Sequence, residues 1–100
     1  MARYIVLVDW TQEGMQAVEQ TVDRLEQGSA LAGSFGCKLE HAWWTQGSHD
    51  MVSVIDAPDD EAMAAYILAV ARSGNLRTTT LRAWNADEMR EIVGRLSDAG

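Results

Sequence analysis

Basic residues are scarce in this chain of 100 residues, where eight Arg and Lys stand against fifteen Asp and Glu and the formal net charge is −7. The eight are scattered along the chain and form no basic block. Binding to phosphates needs a concentrated positive footprint, so this distribution argues against nucleic acid as a partner. The acidic excess favours solubility instead.

Cysteine and long apolar runs are also lacking. Cys37 is the only cysteine, so no disulfide can form within one chain. No apolar run reaches the roughly 18 residues that a membrane-spanning helix needs, and no charged and then apolar leader opens the sequence. We therefore expect a cytoplasmic protein that does not span a membrane.

Apolar residues are plentiful. They make up 47% of the chain and include four tryptophans, Trp10, Trp43, Trp44 and Trp84. The length predicts one domain spanning residues 1–100, and a domain of this size buries only about two-thirds of its unfolded surface. Four indole rings are difficult to hide in so thin a core, so we expect a homo-oligomer, at least a dimer, that covers part of them.

The first half of the chain predicts a strand, a long helix and a hairpin. Residues 4–8 are β-branched and aliphatic, Thr11 can cap a helix, and apolar residues then recur at three-and-four spacing until Gly33–Gly36. Residues 37–45 predict a second strand, joined by a tight connection at 46–49 to a third strand at 50–55. Alternation in the second strand predicts one face of Cys37, Leu39, His41 and Trp43 and another of Lys38, Glu40, Ala42 and Trp44.

The second half predicts a helix, a strand and a short C-terminal helix. Ala57–Glu61 opens the helix, since proline fits a first turn and three carboxylates suit its positive end. Residues 76–84 predict the fourth strand. Asn85 and Glu88 then form a capping box ahead of a short apolar stripe.

This order is βαββαβ with one helix added. It is the ferredoxin-like α+β pattern, expected as a four-stranded antiparallel sheet with the two long helices on one face. The strands carry apolar residues on both faces, so we expect a second subunit to cover the face that the helices leave open.

Short motifs along nearly the whole chain resemble the GYD-domain family. They are Tyr4–Val8 followed by Trp10, Thr11 and Gly14, then Gly47 and Asp50, then Ala57–Glu61, and finally Arg77–Thr78 with Leu81–Ala83. The resemblance implies a dimeric α+β barrel, in which two sheets pack face to face, and leaves the ligand and any reaction open. The chain departs from the family at His49, which stands where the family has its tyrosine. An imidazole can titrate near neutrality or bind metal, as a phenol does not.

Two histidines are the candidate catalytic residues. His49 adjoins Asp50, but consecutive strand residues point to opposite faces, so these two are not expected to pair. We expect Asp50 to close the hairpin with His49 at its exposed end, the alternative being acid–base catalysis or metal ligation by His49. His41 is either a histidine at the edge of the core or a ligand in a cavity. Cys37, His41 and His49 have the chemistry of metal donors, but Cys37 and His41 lie about 13 Å apart along a strand, so no metal site is predicted.

The candidate ligand-binding residues are Trp10, Trp43, Trp44 and Arg82. The tryptophans would line a pocket, and Arg82 would bind an anionic ligand or pair with Asp9 or Asp56. Three functions fit these residues: a homo-oligomeric protein that binds a small planar or aromatic molecule, a cofactor-free monooxygenase-like or isomerase-like enzyme using a histidine as acid–base, and a metal-binding or structural accessory protein. The sequence identifies no cofactor and does not decide whether the protein is an enzyme.

Overall fold

The computed structural model describes residues 1–100 and has a four-stranded antiparallel sheet with helices on one face. The strands are β1 (Ala2–Trp10), β2 (Lys38–Trp44), β3 (Met51–Ala57) and β4 (Leu76–Ala83), in the spatial order β2-β3-β1-β4. The helices are α1 (Gln12–Gln16), α2 (Thr21–Ser34), α3 (Asp60–Ala71) and α4 (Ala86–Asp98), with a short 3₁₀ turn at Val18–Gln20. The predicted ferredoxin-like order, with one helix added, is confirmed.

The core lies between the sheet and helices α2 and α3. Alternation in the two central strands, β1 and β3, sends every second side chain toward the helices, and these side chains are buried. The buried apolar residues are Tyr4, Val6, Val8, Ala32, Cys37, Met51, Ile55, Ala57, Met63 and Tyr66. Burying a large apolar side chain contributes about 1.5–3 kcal/mol, so this set supplies much of the stability of the isolated chain.

The other side of the sheet carries no helix. Cross-strand register places two rows of side chains there, which we call the open face: His41, Val54, Ile5 and Leu81 in one row, and Trp43, Val52, Leu7 and Thr79 in the other. Most of these residues are apolar, and Trp43 is 52% exposed and Leu81 45% exposed. The sheet therefore has apolar side chains on both sides, as its sequence predicts, and one side is uncovered within the chain.

A β-bulge in β2 corrects the predicted alternation of that strand. Leu39 pairs with Ile55, and the next residue to pair, with Val54, is His41, so Glu40 is the extra residue. An inserted residue reverses the faces of everything after it. Cys37 and Leu39 therefore lie on the helix side, whereas His41 and Trp43 lie on the open face, and the prediction that all four share one face is wrong.

The predicted single long helix after Thr11 is also wrong, because the backbone departs from helical geometry at Ala17 (φ −117°, ψ 36°). The Arg24 guanidinium holds the break, since its Nη2 donates to the carbonyl oxygens of both Gly14 and Ala17. The break separates α1 from α2 and leaves Met15 and Val22 of the predicted apolar stripe half exposed.

Helix α1 begins as predicted and then meets the chain before β4. The Thr11 side chain accepts a hydrogen bond from the Gly14 amide. The Thr11 amide donates to the Asn75 carbonyl at 3.1 Å, and its hydroxyl donates to the Gly74 carbonyl at 2.6 Å. Gly14 is buried in this junction, where the two backbones touch.

The two remaining helices begin at side-chain caps. Asp59 caps α3 by accepting from the Ala62 amide, so Pro58 precedes the helix rather than opening it. The predicted capping box of α4 is present, with Asn85 and Glu88 each accepting from the other's amide at 2.8 Å. No helix of the chain has the length and apolar character needed to cross a membrane.

Helix α4 projects from the rest of the fold. The radius of gyration is 15.5 Å, against about 13 Å for a compact chain of this length. The apolar residues of α4 and of the segment before it are exposed: Trp84, Met89, Ile92, Val93 and Leu96. This stripe has no cover within the chain.

Candidate functional site

A cavity lies between the helix side of the sheet and helices α2 and α3. Its volume is about 90 Å³, and 11 of its 16 lining residues are hydrophobic. A space of this size holds on the order of six to nine water molecules, or one small ligand. The lining comes from the alternating residues of β1 and β3, including Val6, Val8 and Ser53, and from the inner faces of both helices. The fold therefore builds the cavity into the layer that also forms its core.

Few polar groups line this cavity. Ser53 is the only polar residue among the twelve buried ones, at 6% exposure, and it lies on the central strand β3. The Tyr66 hydroxyl donates to the Gly28 carbonyl at 2.8 Å, and burial raises the pKa of Tyr66, so this phenol stays protonated at neutral pH. Arg24 supplies the only formal charge of the lining, and its Nε is buried without a hydrogen-bond partner. An apolar cavity with a small number of placed polar groups is the usual form of a small-molecule site.

The predicted ligand-binding tryptophans fall in three different places. Trp10 lines the cavity. Trp44 lies on the same side of the sheet, where its Nε1 donates to the Thr21 hydroxyl at 3.0 Å, next to the cavity but not in its lining. Trp43 stacks on His41 on the open face, with ring centroids 5.3 Å apart and planes at 15°. The bulge at Glu40 is the reason that Trp43 and His41 lie away from the cavity.

Arg82 lies at the opposite end of the sheet from Trp10 and outside the cavity lining. Its guanidinium carbon lies 5.6 Å from the Tyr4 ring centroid and 4.9 Å from that of Trp84, and it donates to the carbonyls of Arg3 and Ala83. It does not pair with Asp56, which instead forms a two-pronged ion pair with Arg3 at 2.9 and 3.1 Å. This guanidinium is therefore held by two aromatic rings and main-chain oxygens.

Tyr4 joins this end of the sheet to helix α3. Its hydroxyl donates to the Asp60 carboxylate in the first turn of α3. Burial, followed by this hydrogen bond to a carboxylate, raises the pKa of Tyr4 to about 12. The Tyr4 hydroxyl is therefore protonated at neutral pH and serves as a donor.

His49 meets a carboxylate other than the neighbouring Asp50. Its Nδ1 lies 3.2 and 3.3 Å from the two carboxylate oxygens of Asp9 in β1. Asp50 performs the predicted structural role, since its carbonyl accepts from the Thr45 amide across the hairpin and its carboxylate accepts from the Trp10 amide, each at 2.9 Å. A carboxylate that orients an imidazole is the arrangement of a general base, but neither His49 nor His41 lines the cavity.

The three potential metal donors are not brought together. The bulge puts Cys37 and His41 on opposite sides of the sheet. Cys37 is buried, and burial raises the pKa of its thiol. No three His, Cys, Asp or Glu side chains converge anywhere in the chain as they would around a metal ion.

Sequence reasoning misses Arg24, Ser53 and Tyr66 as site residues. Helical spacing places Tyr66 in the core, where it is indeed buried, but says nothing of what its hydroxyl meets. Arg24 directly precedes Leu25 of the predicted apolar stripe. A positively charged residue beside such a stripe is the sign in the sequence that could have identified Arg24 as a site residue. Ser53 interrupts a β3 segment that is otherwise apolar on its inner face, which is a second signal.

Comparisons with known proteins agree with this fold. Residues 4–93 match the model of the GYD domain. The chain is 29% identical over 84 residues to the glutamine synthetase and cystathionine beta-lyase binding protein of Thermus thermophilus, covering 83% of this chain and 88% of that protein.

Two solved structures are similar in fold at low sequence identity. The leucine response regulatory protein LrpA of Mycobacterium tuberculosis has a TM-score of 0.64 at 14% identity, over 85% of this chain and 51% of that one. The chain thus corresponds to about half the length of the mycobacterial protein. The protein TTHA0845 of Thermus thermophilus has a TM-score of 0.55 at 18% identity, over 86% of this chain and 96% of that one.

Proposed function

The chain belongs to the GYD-domain family, and from that premise we propose that it is a small cytoplasmic, homo-oligomeric binding protein whose cavity takes one small planar or aromatic molecule. The observation that carries the proposal is the cavity of about 90 Å³ between sheet and helices, with its largely apolar lining. Such a lining favours a ligand with an apolar body. Neither histidine lines the cavity, so binding is favoured over catalysis by a histidine.

Binding in the cavity can be tested with two variants at adjacent positions of α3. Ile67 lines the cavity, whereas Leu68 is 72% exposed and does not line it. We expect Ile67→Phe to fill part of the cavity and weaken binding of benzyl alcohol at least about tenfold, because the larger side chain occupies volume that the ligand needs. Leu68→Phe should bind as the unmodified protein does.

The measurement is titration by NMR, following the side-chain signals of the cavity residues. Thermal unfolding of both variants checks that each remains folded. If neither benzyl alcohol nor benzoate shifts these signals in the unmodified protein, or if Ile67→Phe binds benzyl alcohol as well as Leu68→Phe does, the cavity is not the binding site.

Self-association is supported by the open face. Its two apolar rows run across all four strands, and an exposed apolar surface of this extent is typical of an interface. A second copy of the sheet would bury Trp43 and Leu81, and symmetric dimers are the commonest assembly of soluble proteins. A dimeric α+β barrel is the arrangement that we propose.

A matched pair of substitutions tests the assembly. Leu81→Asp places a charge on the open face, and Leu68→Asp places the same charge on an exposed position of α3. We expect sedimentation equilibrium to give a dimer or larger for the unmodified protein and for Leu68→Asp, and a monomer for Leu81→Asp, because an unpaired buried charge is costly. A monomeric unmodified protein, or an intact dimer of Leu81→Asp, contradicts the proposed interface.

A protein partner is the second candidate function. It is favoured by the similarity to a relative named as a binding protein of glutamine synthetase and cystathionine beta-lyase, since the match spans 88% of that relative. The exposed apolar stripe of α4 offers a surface for such a partner. Size-exclusion chromatography of this protein with purified glutamine synthetase or cystathionine beta-lyase from the same organism should give a co-eluting complex, and Leu96→Asp in α4 should abolish it. Separate elution with both enzymes would remove this candidate.

A further inference from the structure

We infer that the ligand of the cavity is a small organic monoanion, an apolar or aromatic carboxylate whose carboxylate group binds Arg24. The inference rests on the proposed function of the cavity as a small-molecule site. It adds the charge of the ligand and the residue that recognises it.

Arg24 is held in a fixed position at the cavity wall. Its Nη2 donates to the carbonyls of Gly14 and Ala17, where the chain breaks between α1 and α2. Because one guanidinium nitrogen donates to two main-chain carbonyls, the orientation of the guanidinium plane is restricted. The other N–H groups of Arg24 therefore cannot rotate freely. The side chain is therefore ordered before any ligand arrives, which reduces the entropic cost of binding.

The Nε of Arg24, a residue that lines the cavity, has no hydrogen-bond partner. It is the one side-chain nitrogen or oxygen in the chain that is buried without a hydrogen-bond partner. Buried donors are almost always paired, and leaving one unpaired is costly, more so when the group is charged. A ligand acceptor that takes the place of the atoms now covering this N–H would recover that cost, which favours ligands that carry an acceptor over ligands of similar shape that lack one.

The charge of the lining selects an anion. Arg24 is the only formally charged residue among the 16 that line the cavity, and no Asp or Glu is among them. A cation with no lining carboxylate favours an anionic group, and a charge-assisted bond to arginine is stronger than a neutral one. Ser53, buried on the opposite wall formed by β3, offers a hydroxyl to the same ligand. The remaining lining is hydrophobic, so the rest of the ligand must be apolar.

The test compares two probes of similar shape that differ in charge. Benzoate and benzyl alcohol each have a size suited to the cavity, and only benzoate is anionic at pH 7. We expect the unmodified protein to bind benzoate about tenfold or more tightly than benzyl alcohol at fixed ionic strength, measured by calorimetry or NMR titration. Equal affinities, or tighter binding of benzyl alcohol, would overturn the anion inference and leave the cavity proposal intact. Binding of neither probe would overturn both.

Variants at two arginines then assign the preference to one residue. Arg24→Met removes the charge at similar length and should lower the affinity for benzoate by a larger factor than the affinity for benzyl alcohol. Arg72→Met is the matched control at the exposed C-cap of α3, outside the cavity lining, and should change neither affinity. Loss of both probes by the same factor in a folded Arg24→Met protein would mean that Arg24 only shapes the cavity, which contradicts the inference. If Arg24→Met does not fold, the comparison of the two probes in the unmodified protein still decides.

Discussion

Replacing Gly14 by alanine should lower the free energy of unfolding by about 1–3 kcal/mol, although alanine is the better helix former. A Cβ at this position would lie 1.9 Å from the Asn75 carbonyl oxygen and 3.0 Å from its carbonyl carbon, both of them backbone atoms. The junction must therefore open, and the hydrogen bond from the Thr11 amide to the same carbonyl lengthens as it does. The strain and the weakened bond together outweigh the gain of about 1 kcal/mol in helix propensity.

Gly33→Ala is the matched control with the opposite expected sign. Gly33 lies in α2, is exposed, and has no atom within 4 Å of a Cβ built on it. The same substitution there should raise stability by about 0.5–1 kcal/mol. Urea denaturation at one fixed protein concentration measures both variants, since self-association makes stability depend on concentration. A Gly14→Ala protein as stable as the unmodified one, with an unchanged urea dependence, would refute the close approach at Asn75.

Two further predictions concern Tyr4 and the α4 cap. Burial and Asp60 raise the pKa of Tyr4 from 10.0 to about 12. The folded chain therefore holds this proton more tightly than the unfolded chain does. The free energy of unfolding should fall between pH 10 and about 12, by on the order of 1–2 kcal/mol after allowance for screening. Tyr4→Phe should remove the share of this fall that comes from Tyr4, measured by chemical denaturation, whereas the buried Tyr66, whose pKa is also raised, keeps its own share. An unchanged slope in Tyr4→Phe would contradict this origin. Asn85→Ala removes the capping box and should lower the stability of α4 by about 1 kcal/mol. Amide hydrogen exchange should then be faster within α4 and unchanged in the sheet, whereas Asn85→Ser should keep the slow exchange. Faster exchange across the whole chain would show instead that α4 is part of the cooperative core.

Local chemistry makes most of the fold predictable from sequence. Hydroxyl and amide caps at Thr11 and Asn85 act within one turn of their helices, so the first four residues of each helix reveal them. The alternating pattern in β1 and β3 indicates two central strands, each of which pairs with a neighbouring strand on both sides. These features need no information from distant parts of the chain.

The errors arise where contacts between residues in different elements decide the backbone. Alanine itself favours helix, and the break at Ala17 is held by the side chain of Arg24, seven residues further along in the first turn of α2. The bulge at Glu40 is likewise a matter of how β2 pairs with β3. Because the faces of His41 and Trp43 depend on that bulge, the site predicted from alternation is divided between the two sides of the sheet.

The candidate site is less predictable than the fold for the same reason. Trp10 is predicted from the sequence as a ligand-binding residue, and it lines the cavity. Arg24 and Ser53 can be recognised as site residues only once α2 is packed over β3. In a sequence, such a site is indicated by isolated polar residues within apolar segments. Their mutual placement is a property of the packed layers.

The bulge at Glu40 also makes the two edges of the sheet unequal. β2 and β4 are the edge strands, and each leaves one row of main-chain N–H and C=O groups without a strand partner. The extra residue breaks the regular spacing of that row in β2 and twists the strand, which makes it a poor template for another strand, whereas β4 pairs with β1 without interruption along its whole length. Any growth of this sheet by addition of a strand from another chain would therefore occur at β4, and aggregation of partly folded chains should be most sensitive to charges placed on that edge.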